Sequence, residues 1–169
     1  MTIENPIDSK HFKCIKEDNS QKDNERQWEL SKIVFDRFYE YQKKRGLKEN
    51  TAGQRTDRAA YFIMDYVFVY EDIVDDIRAV SDETVRKYLG NWYIRKFMNP
   101  TIKGIKAHLR ALSDFFTFLK DNGQISRDHL SELKGVCRDT AWFEMRLRTY
   151  FESDSEGFRE WIEEYNYDW

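Results

Sequence analysis

Residues 102 to 119 place Ile102, Ile105, Leu109, Leu112, Phe116 and Leu119 at the three-and-four spacing that an α-helix lays on one face. Asn99 stands before the run as a predicted N-cap, with Pro100 at the first helical position, where its missing N–H costs nothing. Gly123 stands after it as a stop. A helix this long with so broad an apolar stripe must be covered by other elements. The rest of the chain offers helices for the task. Gly (7) and Pro (2) are too scarce in 169 residues to punctuate a many-turned β fold.

A first helix is predicted from about Glu25 to Arg45, with Trp28, Ile33, Phe35, Phe38 and Tyr41 on its apolar face and Gly46 at its end. Asn50 is the expected N-cap of a second helix over roughly 51–70, striped by Ala59, Phe62, Ile63, Tyr66 and Tyr70. "VFVYEDIVDDI" could be a strand but has no evident partner strand, so helix end plus connector is preferred. Ser81 caps a third helix over about 82–97, with Asp82 and Glu83 in its first turn and Val85, Tyr88, Leu89 and Trp92 facing inward. After the fourth helix, Ser126 caps a short one to about Val136. Two more follow over about 140–151 and 156–166. The fold class is all-α. Residues 1–24 are polar and aperiodic and read as a disordered tail.

A chain of 169 residues is long enough to bury a real core in one domain. No apolar run is long enough for a membrane span. The N-terminus lacks the apolar core of a signal peptide. Cys14 and Cys137 form no C-x-x-C pair, so a reduced cytoplasmic protein is expected. His11 and Cys14 make only half of a metal site, and no motif implies a cofactor. The net charge of −3 hides an asymmetry. Residues 25–125 carry 18 basic and 15 acidic side chains, whereas residues 126–169 carry 6 and 11. A mildly basic middle precedes an acidic tail.

On a helical wheel Lys103, Lys106 and Arg110 lie together beside the apolar stripe of the fourth helix, with Thr101 near its positive end. Such an edge suits phosphate contact, or it is a solvated rim on a core helix. The pattern favours the rim until a wider match is weighed. "YEYQKKRGLKENTAGQRTDRAAYF", "VSDETVRKYLGNW" and "NPTIKGIKAHLRALSDFFTFLKDNGQIS" together resemble the core-binding, SAM-like domain of tyrosine recombinases and phage integrases. Gly46-Leu47, Asn50-Thr51, Val85, Tyr88-Leu89, Thr101-Ile102, Ala111-Leu112, Phe115-Phe116, Phe118-Leu119 and Gly123 fall in the order of that family's pattern, over about residues 28–126. The resemblance implies a four-helix DNA-binding bundle at 25–125 whose second and fourth helices approach the major groove of duplex DNA. Carried over by position, it points to Lys48, Thr51, Gln54, Arg55 and Arg58 around the second helix, and to Thr101, Lys103, Lys106 and Arg110 on the fourth. Arg55 departs from the pattern, which usually has an aromatic residue there. It either projects past the core toward DNA or pairs with a carboxylate.

The family's catalytic domain is not recognisable. His11, His108 and His129 start no H-x-x-R, and about 44 residues follow the match, too few for that domain. There is no G-x-x-x-x-G-K-[ST] and no G-x-S-x-G. No enzymatic activity is expected. The acidic extension, 126–169, ends in a stripe of Phe158, Trp161, Ile162 and Tyr165. That helix docks on its own domain, binds a protein partner, pairs with a second subunit, or lies over the basic rim. The leading expectation is non-catalytic duplex DNA binding, as an accessory or regulatory relative of a phage-type integrase on a mobile element. The alternative is a helical interaction or oligomerisation module that no longer binds DNA.

Overall fold

The computed structural model describes residues 7–15, 21–70 and 74–164. Among these residues it is helical, without a β-strand, and only an isolated antiparallel bridge joins Lys13 to Asp76. The all-α expectation therefore holds. The chain divides into two compact units, Met1–Val80 and Ser81–Trp169. The division falls inside the segment 25–125 that the sequence suggested as one domain.

The first unit is built on α1 (Gln21–Lys44) and α2 (Glu49–Tyr61), which pack against each other. α2 runs on into a π-helical stretch, Phe62–Val67. The stripe that α1 buries is Gln27, Ser31, Val34, Phe35, Phe38 and Gln42. Its polar ends make hydrogen bonds, although the buried Gln42 Oε1 receives none. Gln42 Nε2 donates to Ala52 O and Thr56 Oγ1 across to α2. Trp28, expected on this face, is instead exposed. Gly46, at φ +87°, ends α1 in the left-handed region, and Leu47 N closes back on Gln42 O at 3.2 Å. Asn50 is not the cap of α2. Lys48 occupies that position without a side-chain bond, and the helix begins at Glu49, whose carboxylate pairs with Lys43 at 2.7 Å. In "VFVYEDIVDDI" the π-helical stretch ends at Val67 and a 3-10 turn begins at Ile77, and residues 71–73 lie outside the described residues.

Of the N-terminal segment read as a disordered tail, residues 1–6 and 16–20 lie outside the described residues, and residues 7–15 and 21–24 do not form a plain tail. Ser9–Phe12 form a 3-10 turn that buries His11 and Phe12. Gln27 on α1 receives Ile15 N at 2.6 Å and donates to Lys13 O. Cys14 N donates to Asp75 O at 2.7 Å. Arg78 stands over the Phe12 ring and donates to Asp76 Oδ2 at 2.6 Å. One aromatic residue and a set of backbone bonds hold this segment, and neither leaves a periodic signal.

In the second unit, α3 (Asp82–Lys87), a π-helical stretch (Tyr88–Trp92) and α4 (Tyr93–Lys96) form one continuous helix. Ser81 and Thr84 make a reciprocal capping box at its start. α5 (Ile102–Asp121) packs on α6 (Arg127–Arg138) and α7 (Thr140–Glu152). α8 (Ser155–Glu163) packs on α7. Leu109, Leu112, Phe116 and Leu119 of α5 are buried as the stripe predicted. Gly123, at φ +70°, closes the helix with Gln124 N on Leu119 O at 2.8 Å. The start of α5 differs from the expectation. Thr101, not Asn99, is the N-cap, and its hydroxyl accepts from Gly104 N at 3.1 Å. Pro100 lies outside the helix and is buried.

Candidate functional site

The α4–α5 turn sets the geometry of the basic edge. Tyr93 stacks on Phe97 with centroids 4.1 Å apart, and both rings meet the buried His108 of α5 edge-on. His108 Nδ1 also lies 3.2 Å from Tyr88 Oη. This aromatic cluster clamps the end of α4 beside the first turns of α5. At Gly104 a Cβ would stand 2.6 Å from Tyr93 Oη, so only glycine lets the two approach this closely.

From Thr84 to Ser113 the chain has seven lysines and arginines and no carboxylate. Three of these cations are neutralised inside the unit. Arg86 pairs with Asp139 at 2.9 Å and stacks over Trp142, and Lys87 pairs with Glu83 at 3.4 Å. Lys106 pairs with Glu144 of α7. Arg95 donates to the neutral Asn91 Oδ1 at 2.7 Å. Lys96, Lys103 and Arg110 are exposed and have no ion-pair partner among the described residues. Thr101 is exposed; its hydroxyl oxygen accepts the cap bond, and its proton remains to donate.

Lys103, Lys106 and Arg110 therefore share an exposed edge, but Lys106 is not an available cation. Its neutraliser comes from 38 residues further along, a pairing that no local spacing reveals. Lys96 was missed because it ends the preceding helix. The acid-free run on both sides of the turn was the signal that could have found it.

On α2, Thr51, Gln54, Arg55 and Arg58 fall on one side, with Lys48 just ahead of the helix. Thr51, Gln54 and Lys48 are exposed, and Arg55 and Arg58 are half-buried. Gln54 Nε2 donates to Asn50 Oδ1 at 3.4 Å, and Arg58 Nη1 donates to Gln54 O at 3.2 Å. These groups belong to the first unit, and the α5 edge to the second.

The aromatic end of the chain is used within its own unit. Trp161 is buried and donates Nε1–H to Arg146 O at 3.0 Å. The Arg146 guanidinium, 1% exposed, lies 3.9 Å over the Trp161 ring. It donates to Gly90 O, Trp161 O and Glu164 Oε2 at 3.2, 2.9 and 2.8 Å. Trp161, expected to bind a partner, is thus an anchor for α8, because its ring and N–H are already taken. Ile162 is half-buried, and its carbonyl accepts from Asn91 Nδ2 at 3.4 Å. Phe158 is exposed, with its ring edge-on to Tyr150. Tyr165 lies outside the described residues. Exposed apolar groups occur instead on α7. Met145 and Phe151, with Ile102 and Ala141, line a groove of about 630 Å³ rimmed by Glu144, Arg148 and Glu152.

Burial pushes the Cys137 thiol up to about 12, and neither cysteine is in a disulfide. His11 Nδ1 accepts from Asp8 N at 2.8 Å. Among the described residues no group of His, Cys, Asp or Glu is arranged to hold a metal ion, and no helix is long and apolar enough to cross a membrane. No family model matches the chain, and no curated protein and no solved structure matches it.

Proposed function

We propose that this chain binds duplex DNA through the basic edge of α5 and the α4–α5 turn, and catalyses no reaction on it. The observation that supports this reading is the acid-free run from Thr84 to Ser113, whose exposed cations Lys96, Lys103 and Arg110 have no ion-pair partner among the described residues. Exposed cations without an ion-pair partner suit a polyanion. Contacts to phosphates give affinity that is independent of sequence and falls steeply with salt.

The resemblance to the core-binding domain of tyrosine recombinases supports the same reading. It assigns α1, α2 with its π-helical extension, the α3–α4 helix and α5 to a SAM-like four-helix bundle. Lys48, Thr51, Gln54, Arg55 and Arg58 then form a second contact region. The chain would act as an accessory or regulatory relative of a phage-type integrase in DNA recombination, without the catalytic domain.

The test is fluorescence anisotropy with a labelled random-sequence duplex at about 50 and 200 mM salt. Binding at low salt that collapses at high salt is expected. If Lys103→Ala, Lys106→Ala and Arg110→Ala together leave affinity and salt slope unchanged, the assignment of the edge is wrong.

The groove between Ile102 and α7 favours a second reading, a helical interaction module. Its exposed Met145 and Phe151 suit a protein surface, and the acidic 126–169 segment does not suit DNA. Absence of duplex binding at tens of micromolar and low salt would make this the better account.

A further inference from the structure

Between Lys96 and Lys103 the chain turns over a short tip, and Met98 at that tip is fully exposed. Single exposed apolar side chains are common, so exposure alone carries nothing. Three observations set this one apart. The tip is held from below: Phe97 N bonds Tyr93 O at 3.1 Å, the Phe97 ring stacks on Tyr93, and Pro100 is buried. It is flanked by exposed Lys96 on one side and exposed Lys103 on the other. It also lies in the middle of the run from Thr84 to Ser113 that has no carboxylate.

Resting on the duplex-DNA reading above, we infer that Met98 is an apolar wedge that enters a groove and lodges against a base step, while Lys96 and Lys103 hold the phosphates on either side. Proteins that unstack a step insert an apolar side chain, methionine among them, between the bases, and cations beside it hold the flanking phosphates. A thioether on a flexible stem adapts to an irregular gap between bases. The clamp of Tyr93, Phe97 and His108 keeps the tip from folding away under the load. The charge around the tip selects a polyanion, and the apolar point selects one with a stacked interior that can be opened. Duplex DNA has both properties.

A wedge favours a duplex in which unstacking already costs little, so the full-length chain should discriminate between an intact duplex of about 20 base pairs and the same duplex with one central mismatch. Anisotropy titrations at about 50 mM salt are expected to show about tenfold tighter binding to the mismatched duplex. Met98→Gln keeps the length of the side chain and removes its apolar end. It is expected to abolish the preference while binding to the intact duplex persists. Unchanged far-ultraviolet circular dichroism and melting would show that the variant is folded. If the wild type binds the intact duplex with a steep salt slope but shows no preference, or if Met98→Gln retains the preference, the wedge is wrong and the DNA reading stands. If the wild type binds neither duplex, the DNA reading fails and the wedge fails with it. Binding to phosphatidylserine vesicles in place of either duplex would overturn both in the same way.

Discussion

At Gly90 the backbone passes beneath the Trp142 indole so closely that a Cβ would stand 2.5 Å from Cη2 and Cζ3. Alanine elsewhere in a helix gains up to about 1 kcal/mol over glycine. Here the ring would have to move, and overpacking of this kind costs about 1–3 kcal/mol. Gly90→Ala is therefore expected to lower stability by about 1–2 kcal/mol, read as a fall in the urea midpoint with an unchanged slope. Cys137 gives a second expectation. Burial favours its neutral thiol, so its contribution is complete below the ordinary thiol range and is lost as the pH rises toward about 12. Thiol reagents at pH 8 should leave it unmodified in the folded protein, and Cys137→Ala should flatten the alkaline limb of the stability profile. Rapid modification of Cys137 without unfolding would sink this. Neither position stood out in the sequence. A glycine in a helical run carries no mark of the ring above it, and a lone cysteine carries none of its burial. Arg146 left a trace: Phe143, Arg146 and Tyr150 share one helical stripe, which puts a charge on the apolar side.

Helix existence was legible because the 3.6-residue stripe is a property of the elements themselves. α5, α6, α7 and the α3–α4 helix all lie where periodicity and the Ser81 and Ser126 caps put them. Cap positions were less legible. Asn99 and Asn50 have suitable side chains, but Thr101 and Lys48 have the extended backbone that precedes the first turn. The N-terminal segment was illegible because it is held by Phe12, by Gln27 and by Arg78, each from a different place in the sequence. Burial raises the Asp76 carboxyl, but hydrogen bonds from the Arg78 side chain and amide, with the charge of Arg78, outweigh it and hold Asp76 below its ordinary value. A lowered carboxyl contributes stability above its unfolded value, near pH 3.9, and loses it as the pH falls through the folded value. Asp76→Asn should therefore be less stable than the wild type at pH 7, with the difference closing in acid. A difference that stays constant from pH 7 to pH 2 would show that the ion pair is not its source. The attachment of α8 is tested in the same way. Arg146→Ala leaves Gly90 O and Trp161 O without their donor and opens a cavity, so a loss of about 3 kcal/mol is expected. The Trp161 fluorescence should shift to the red as α8 separates.

At the scale of the whole molecule the difficulty is charge. The chain is net negative, and an acidic C-terminal segment follows the basic run. Total charge is a poor guide here, because a polyanion responds to the local field within about a Debye length, roughly 10 Å at 0.1 M salt. What matters is which cations stay unneutralised near one another. Spacing alone brought out the triad of Lys103, Lys106 and Arg110, but the Lys106–Glu144 pair takes one member away and the α4–α5 turn adds Lys96. Mutation resolves whether both units or only the second would contact the duplex. Each phosphate contact adds about 0.9 to the magnitude of the salt slope. Lys96→Ala with Lys103→Ala and Arg110→Ala, all in the second unit, should lower that magnitude by about 2–3. Lys106→Ala should change it little, because Glu144 already neutralises that charge. Lys48→Ala with Arg55→Ala and Arg58→Ala, in the first unit, separates the two forms of the DNA reading. A further fall of about 2–3 means that both units contact the duplex, as in the recombinase-like arrangement. No change means that the second unit binds alone and that the likeness of α2 to the family pattern reflects the packing of α2 on α1. A Lys106→Ala effect as large as that of Lys103→Ala would show that DNA breaks the Glu144 pair on binding, and the edge would then have to be counted with Lys106 restored.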